Sequence, residues 1–256
     1  MNQATDSYNF KVIAFDLDGT LAESKASITP EMSDLLCKLL EKHIVVIISG
    51  GTFSQFKKQV IEKLTGTSEK LLSRLLLFPT SGSTLYIYQN NAWICIYEEK
   101  LGDDDKARIL HAWTKALVET GIVLPVPSYG PVMEDRITQI TFSACGQEAP
   151  REAKAIWDPD RVKRTALRKV MLPLLPEFAI SFGGMTSVDV TRQGVDKAYA
   201  IEKLIAYQKI EKGDIMFVGD KLEPGGNDYP ARRTGVRCVA VSGPTETADV
   251  IKKIIS

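Results

Sequence analysis

This sequence has no excess of charge of either sign: 32 basic and 32 acidic side chains cancel to a formal net charge of +0. With no global field to recruit nucleic acid or an anionic membrane, any anionic ligand must be held locally. Long hydrophobic runs are missing as well. No stretch approaches the roughly 18 apolar residues of a membrane span, and the opening MNQATDSYNF lacks the basic start and apolar run of a secretion signal. A soluble, cytoplasmic protein without nucleic-acid or membrane partners is expected. Cysteine is scarce. Cys37, Cys95, Cys145 and Cys238 lie far apart with no C-x-x-C pair, which argues against a disulfide framework or zinc site and for reduced thiols. His43 and His111 lack metal-ligand spacing. Internal repeats and low-complexity segments are absent.

What is present is ordinary globular material, 44% hydrophobic and 25% charged over 256 residues, enough for one large or two modest domains. Three segments share one grammar: KVIAFDLDG (11–19), HIVVIISGG (43–51) and DIMFVGD (214–220) are short β-branched runs that end in a carboxylate, hydroxyl or glycine. Buried parallel strands read this way, with polar residues collecting past their carboxyl ends, where ligands bind in open α/β sheets. Thr29 and Pro30 form an N-cap and first helical position, and Met32, Leu35, Leu36, Leu39 and Leu40 follow at helical spacing. A second helix (52–64) precedes the apolar run LLLFP (75–79), and VRCVAVSG (236–243) reads as a last strand. The expected fold is α/β, a Rossmann-like parallel-sheet core made of residues 1–84 and 187–256 and interrupted by an inserted α+β domain, 85–186.

Within the insert, residues 84–99 read as a hairpin turning at Asn90–Asn91, 103–120 as an amphipathic helix, and 135–144 as a strand. A helix is expected to start at Asp158–Pro159 and stop near Pro173 and Pro176. The run RVKRTALRK (161–169) reads as a solvated helix face, and Trp93, Trp113 and Trp157 as packing residues of the insert.

Four constellations could carry chemistry. Asp16 and Asp18 stand two apart, so in extended backbone both carboxylates point one way and need a cation, although D-x-D also occurs in plain turns. Gly19 lets backbone approach a ligand and the Thr20 hydroxyl suits a phosphoryl oxygen. Ser49 with Gly50 and Gly51 ends the second strand before a helix, an arrangement suited to an anion but, taken alone, more often merely a turn and a helix cap. Lys197 follows a glycine near a helix start, where a surface lysine is the bland alternative. Asp220, then a Pro-Gly-Gly loop, then Asn227 and Asp228 follow the 214–220 strand too closely for stability alone.

In that order, D-x-D-G-T, Ser, Lys and G-D…N-D resemble the haloacid dehalogenase superfamily of phosphotransferases, in which an insert between the second and third motifs is a cap domain. GGMTSVDVTRQGVDKAYAI and GDKLEPGGNDY are similar to the eukaryotic-type phosphomannomutases and their bacterial phosphatase-like relatives. The resemblance implies that Asp16 is a nucleophile forming an aspartyl phosphate and Asp18 the general acid and base. It implies Mg²⁺ held by Asp16, the Asp18 backbone carbonyl and Asp220, phosphoryl binding by Thr20, Ser49 and Lys197, and Asn227 and Asp228 as supports of the metal loop. It further assigns the substrate's distal phosphate and sugar hydroxyls to Arg136, Ser187 and Asp189. Two other cap arginines of the mutases correspond to Gln147 and Lys154, and the arginine following D-G-T to Lys25. Arginine's bidentate fork grips phosphate better than Gln or Lys. The expected activity is therefore a Mg²⁺-dependent phosphatase on small phosphorylated metabolites, sugar phosphates first; a phosphohexomutase is the alternative, and a non-catalytic sugar-phosphate-binding protein the third reading.

Overall fold

The computed structural model describes residues 10–64 and 66–256. Along the chain, β1 (Val12–Phe15), α1 (Pro30–Lys42), β2 (Ile44–Ile48), α2 (Phe53–Gln59), α3 (Glu69–Leu72) and β3 (Leu75–Phe78) come first, then a hairpin, β4 (Thr84–Gln89) and β5 (Ala92–Glu98). Next follow α4 (Asp103–Thr120), β6 (Met133–Asp135), β7 (Gln139–Ser143), α5 (Arg151–Trp157), α6 (Val162–Met171), β8 (Phe178–Phe182) and β9 (Ser187–Arg192). The chain ends with α7 (Lys197–Gln208), β10 (Ile215–Gly219), α8 (Tyr229–Arg233), β11 (Arg237–Ala240) and α9 (Pro244–Ile255).

Two compact units result. One runs through Tyr97 and resumes at Asp196–Ser256; the other is Glu98–Val195. The first is built on a sheet of order β11-β10-β1-β2-β3-β4-β5, parallel from β11 to β3 and antiparallel from β3 to β4. Its central strands are buried on both faces: Ile13 and Phe15 pack into one apolar layer with α1 and α9, Val12 and Ala14 into another with α7. Unbroken apolar runs are the consequence. The Thr29 hydroxyl accepts from the Met32 N–H at 3.2 Å, so α1 starts where its cap dictates and buries the expected leucine face.

The second unit is an antiparallel sheet of order β6-β7-β9-β8. Ile140, Phe142, Val188 and Val190 alternate onto the face packed by α4 and α6, where Trp113 stacks on Phe142 at 4.2 Å. Residues 139, 141 and 143 pair with 191, 189 and 187 on the other, polar face.

Several expectations change. The hairpin turns at Asn90 and Asn91, both with positive φ as a tight hairpin turn requires, but it does not belong to the insert. Strand β4 follows β3 after a short loop and pairs with it, Leu76 opposite Ile87, so the hairpin extends the core sheet, and Trp93 packs there with Phe53 and Tyr88. At the other junction β9 pairs with β7 and β8, which puts Ser187 and Asp189 in the insert. By contact the insert is therefore 98–195 rather than 85–186. The single strand expected over 135–144 is two strands reversing at Arg136–Thr138, where Ile137 has φ +69°. Asp158 follows α5 instead of starting a helix. Its carboxylate accepts the Lys163 and Arg164 N–H groups at 2.9 and 3.3 Å, capping the first turn of α6. Nor is 161–169 wholly solvated: the Arg164 side chain is buried, 2.7 Å from Asp158, and donates to the Gly184 carbonyl at 2.7 Å. Among the described residues no helix is long and apolar enough to cross a membrane.

Candidate active site

Strand order reverses beside β1: the chain runs β1-β2-β3 to one side, and β10-β11 continue on the other. The crevice past the carboxyl ends of the strands at such a reversal is where doubly wound sheets bind ligands. Asp16 leaves β1 there, its N–H still donating to Val218 of β10 at 3.0 Å, and Asp220 leaves β10 one residue after Gly219. Ser49 leaves β2, in register with β1, and accepts the Gly51 N–H at 3.4 Å. Lys197 opens α7, which Asp196 caps by accepting the Ala198 and Tyr199 N–H groups at 2.8 and 3.1 Å.

Lys197 is not a surface lysine. Only 2% exposed, it forms ion pairs with both Asp16 and Asp228, themselves buried. Asp228 also accepts the Lys221 N–H at 2.9 Å, which fixes the loop returning from Asp220. Its carboxylate lies where a side chain at Gly219 would begin, 2.6 Å from an added Cβ, so β10 must end in glycine. Asp220 crowds Gly19 in the same way, 2.5 Å from an added Cβ, and Gly19 has φ +90°. Two glycines thus let the acidic side chains converge. Burial pushes the Asp16 carboxyl up to about 7; Lys197 opposes this, while Asp228 and Asp220 reinforce it. Burial pulls Lys197 down, but the two carboxylates outweigh it and hold the ammonium above its ordinary value.

Carboxylate oxygens of Asp16, Asp220 and Asp228 lie within 4.8 Å of one another. Three such groups against the buried Lys197 ammonium and that of Lys221, partly exposed and 2.8 Å from Asp220 Oδ2, leave a formal excess of one negative charge when all are ionised, an imbalance that a bound cation offsets. The oxygens are not equivalent. Both of those on Asp228 are engaged, by Lys197 and the Lys221 N–H, whereas Asp16 Oδ2 and Asp220 Oδ1 are buried and find no hydrogen-bond partner among the described residues. Two open hard-oxygen donors fit Mg²⁺, which takes one or two carboxylates and fills its remaining positions with water or phosphate. The buried Thr20 hydroxyl likewise finds no partner among the described residues.

Asp18 is held by other groups. Its Oδ1 accepts from the Lys25 N–H at 2.5 Å and from Gln59 Nε2 at 3.2 Å. Asn227 is exposed, next to Asp228. The other candidates lie in the insert: Asp189 accepts from the Thr141 hydroxyl at 2.7 Å, Thr141 accepts from Gln139 at 2.8 Å, and Arg136 forks onto Glu134 at 2.9 and 2.7 Å. Ser187 and Asp189 share the polar face of β9, and Arg136 sits at the β6–β7 reversal. Gln59 and Lys221 escaped the sequence reading, having no motif spacing. Gln139 and Thr141 did carry a signal, in the polar–apolar alternation of QITFS against SVDVT.

The sequence model of the family described as eukaryotic phosphomannomutase matches residues 32–256. A phosphomannomutase of Drosophila melanogaster is 28% identical over 224 residues, covering 85% of this chain and 84% of the relative. One of Schizosaccharomyces pombe is 28% identical over 255 residues, covering 96% and 94%. Among solved structures, a Plasmodium falciparum IMP-nucleotidase superposes with a TM-score of 0.73 at 17% identity, over 97% of this chain and 71% of that one. A haloacid dehalogenase-like hydrolase from Bacteroides thetaiotaomicron gives 0.63 at 15% identity, over 96% and 99%.

Proposed function

The chain belongs to the eukaryotic phosphomannomutase family of the haloacid dehalogenase superfamily, and from that premise we propose that it is a phosphohexomutase, moving a phosphoryl group between the 1 and 6 positions of a hexose phosphate. This ranks the mutase above the phosphatase expected from sequence. The observation that carries it is the match to phosphomannomutases over nearly the whole chain, insert included, with the aspartate cluster at the sheet reversal.

In this reading Asp16 attacks phosphorus in line, and the leaving oxygen takes a proton from Asp18. The resulting aspartyl phosphate passes its phosphoryl group to the other sugar hydroxyl as Asp18 takes that hydroxyl's proton back. Lys197 favours the ionised nucleophile and neutralises charge on the phosphoryl oxygens, with Thr20 and Ser49 donating beside it. Asp228 and Asn227 hold Lys197 and the loop after β10. Mg²⁺ on the Asp16 and Asp220 carboxylates and the Asp18 carbonyl supplies charge neutralisation. The insert acts as a cap whose Arg136, Ser187 and Asp189 bind the sugar and its distal phosphate.

A second reading, a phosphatase for small sugar phosphates, is favoured by Gln147 and Lys154, positions that the resemblance matches to arginines of the mutases. Each charge-assisted bond lost, worth roughly 1.5–3 kcal/mol, weakens retention of a bisphosphorylated intermediate about tenfold or more. Purified protein with Mg²⁺, mannose and glucose 1-phosphates and a hexose bisphosphate activator decides between them, with isomer formation and phosphate release followed together. Isomer formation should dominate; release dominating makes the protein a phosphatase, and neither product leaves only a binding role.

A further inference from the structure

Gln59, the last residue of α2, is buried far from every sequence motif, yet its amide reaches Asp18. Its Nε2 donates one hydrogen to Asp18 Oδ1 at 3.2 Å and the other to the Ala26 carbonyl at 2.8 Å. A carbonyl cannot donate, so the group facing Ala26 must be the NH₂, and the same atom therefore presents a donor to Asp18. The backbone takes part too: the Gln59 carbonyl accepts the Ile28 N–H at 2.9 Å, fastening the segment 18–28 to the end of α2. Lys25 N–H, positioned by a residue with φ +61°, donates to the same Oδ1 at 2.5 Å.

Two donors therefore converge on one oxygen of Asp18. A proton placed on Oδ1 would meet N–H hydrogens head-on, so it resides on Oδ2. From this geometry we infer that Gln59 is a positioning residue for phosphoryl transfer: with Lys25 N–H it fixes both the rotamer of Asp18 and the oxygen that carries its mobile proton. The inference rests on the acid–base role proposed for Asp18. In the step concerned a bond forms between an Asp16 oxygen and phosphorus, the bond from phosphorus to the leaving oxygen breaks, and the Asp18 Oδ2 proton passes to that oxygen. Without Gln59 the carboxyl turns, and its proton is aimed away for part of the time.

Leaving-group chemistry isolates this effect. A sugar alkoxide must be protonated as it departs, whereas p-nitrophenolate leaves as a stable anion. Rapid-quench rates of aspartyl-phosphate formation, with Mg²⁺, from a hexose bisphosphate and from p-nitrophenyl phosphate are compared in wild type, Gln59→Leu and Gln59→Glu. Gln59→Glu keeps the length but turns a donor into a like charge, so it decides the matter if the leucine variant does not fold. Both variants should lose about tenfold to a hundredfold on the sugar phosphate, part of the roughly hundredfold to ten-thousandfold that general acid catalysis supplies, and less than about threefold on p-nitrophenyl phosphate, since only the acid-catalysed part of the rate is removed. Equal losses on both substrates, or none, overturn the positioning role. Asp18→Asn serves as reference: if it too shows no such split, the acid role of Asp18 is refuted and the inference falls with it, whereas a split in Asp18→Asn alone refutes only Gln59.

Discussion

Replacing the nucleophile should make the protein more stable while abolishing turnover. In the metal-free protein Asp16 is buried with one oxygen unpartnered, and its pKa rises from 3.8 to about 7. Between these values the folded state holds a proton that the unfolded state has released, so raising the pH through that window removes stability. The gap is about 3 units; at 1.36 kcal/mol per unit the ionised group costs roughly 4 kcal/mol at pH 8. At pH 4, where folded Asp16 is protonated, the cost falls below about 1 kcal/mol by the same relation. Asp16→Asn places a neutral amide of the same shape there, and Lys197 retains Asp228 as its partner. Urea unfolding in EDTA should therefore show Asp16→Asn more stable than wild type by up to about 4 kcal/mol at pH 8 and nearly equal at pH 4. Mg²⁺ should narrow the gap by stabilising wild type preferentially. A variant that is less stable at pH 8, or a difference independent of pH, would refute the account of Asp16 as a group held at a cost to the fold.

Mg²⁺ binding should release a proton below about pH 7, so its apparent affinity falls up to about tenfold per pH unit there; calorimetry in buffers of different ionisation enthalpy reads this directly. Asp220→Ala removes one of the two open carboxylate oxygens and should abolish most of the Mg²⁺ dependence of turnover, an unchanged magnesium titration excluding Asp220 from the site. In the insert, Arg164→Met leaves the buried Asp158 carboxylate without its guanidinium and should destabilise that unit by about 3–5 kcal/mol, as hydrogen exchange along β8 and β9 would report. Changing Gln147 and Lys154 together to arginine should raise the ratio of isomer formation to phosphate release by about tenfold or more per restored contact, and an unchanged ratio would separate these positions from phosphate retention.

The sequence by itself was sufficient for the parallel strands of the core and for the polar residues that end them. A parallel strand buried on both faces must be an apolar run, so the positions of Asp16, Ser49 and Asp220 just past strand ends were legible from local pattern, while a chemical role for them was legible only from the four motifs taken together. Asn90–Asn91 fixed a hairpin because tight turns demand positive φ. Which sheet that hairpin joins depends on the neighbour its edge finds, and local sequence does not encode a neighbour. The same holds for β9, whose alternation fits any half-buried sheet. Lys197 taken in isolation read more readily as a surface lysine, because nothing near it in sequence reveals Asp16, 181 residues away, or Asp228, 31 residues on. Arg164 misread for a related reason: a basic helix face looks solvated until Asp158 and the Gly184 carbonyl surround it. Gln59 carried no signal at all, since an amide becomes a positioning group only when the fold brings Asp18 and the Ala26 carbonyl within reach of one nitrogen. Local pattern sets which groups reach the sheet edge, while burial, pairing and the resulting shifts in charge come from long-range contacts that only the folded chain makes.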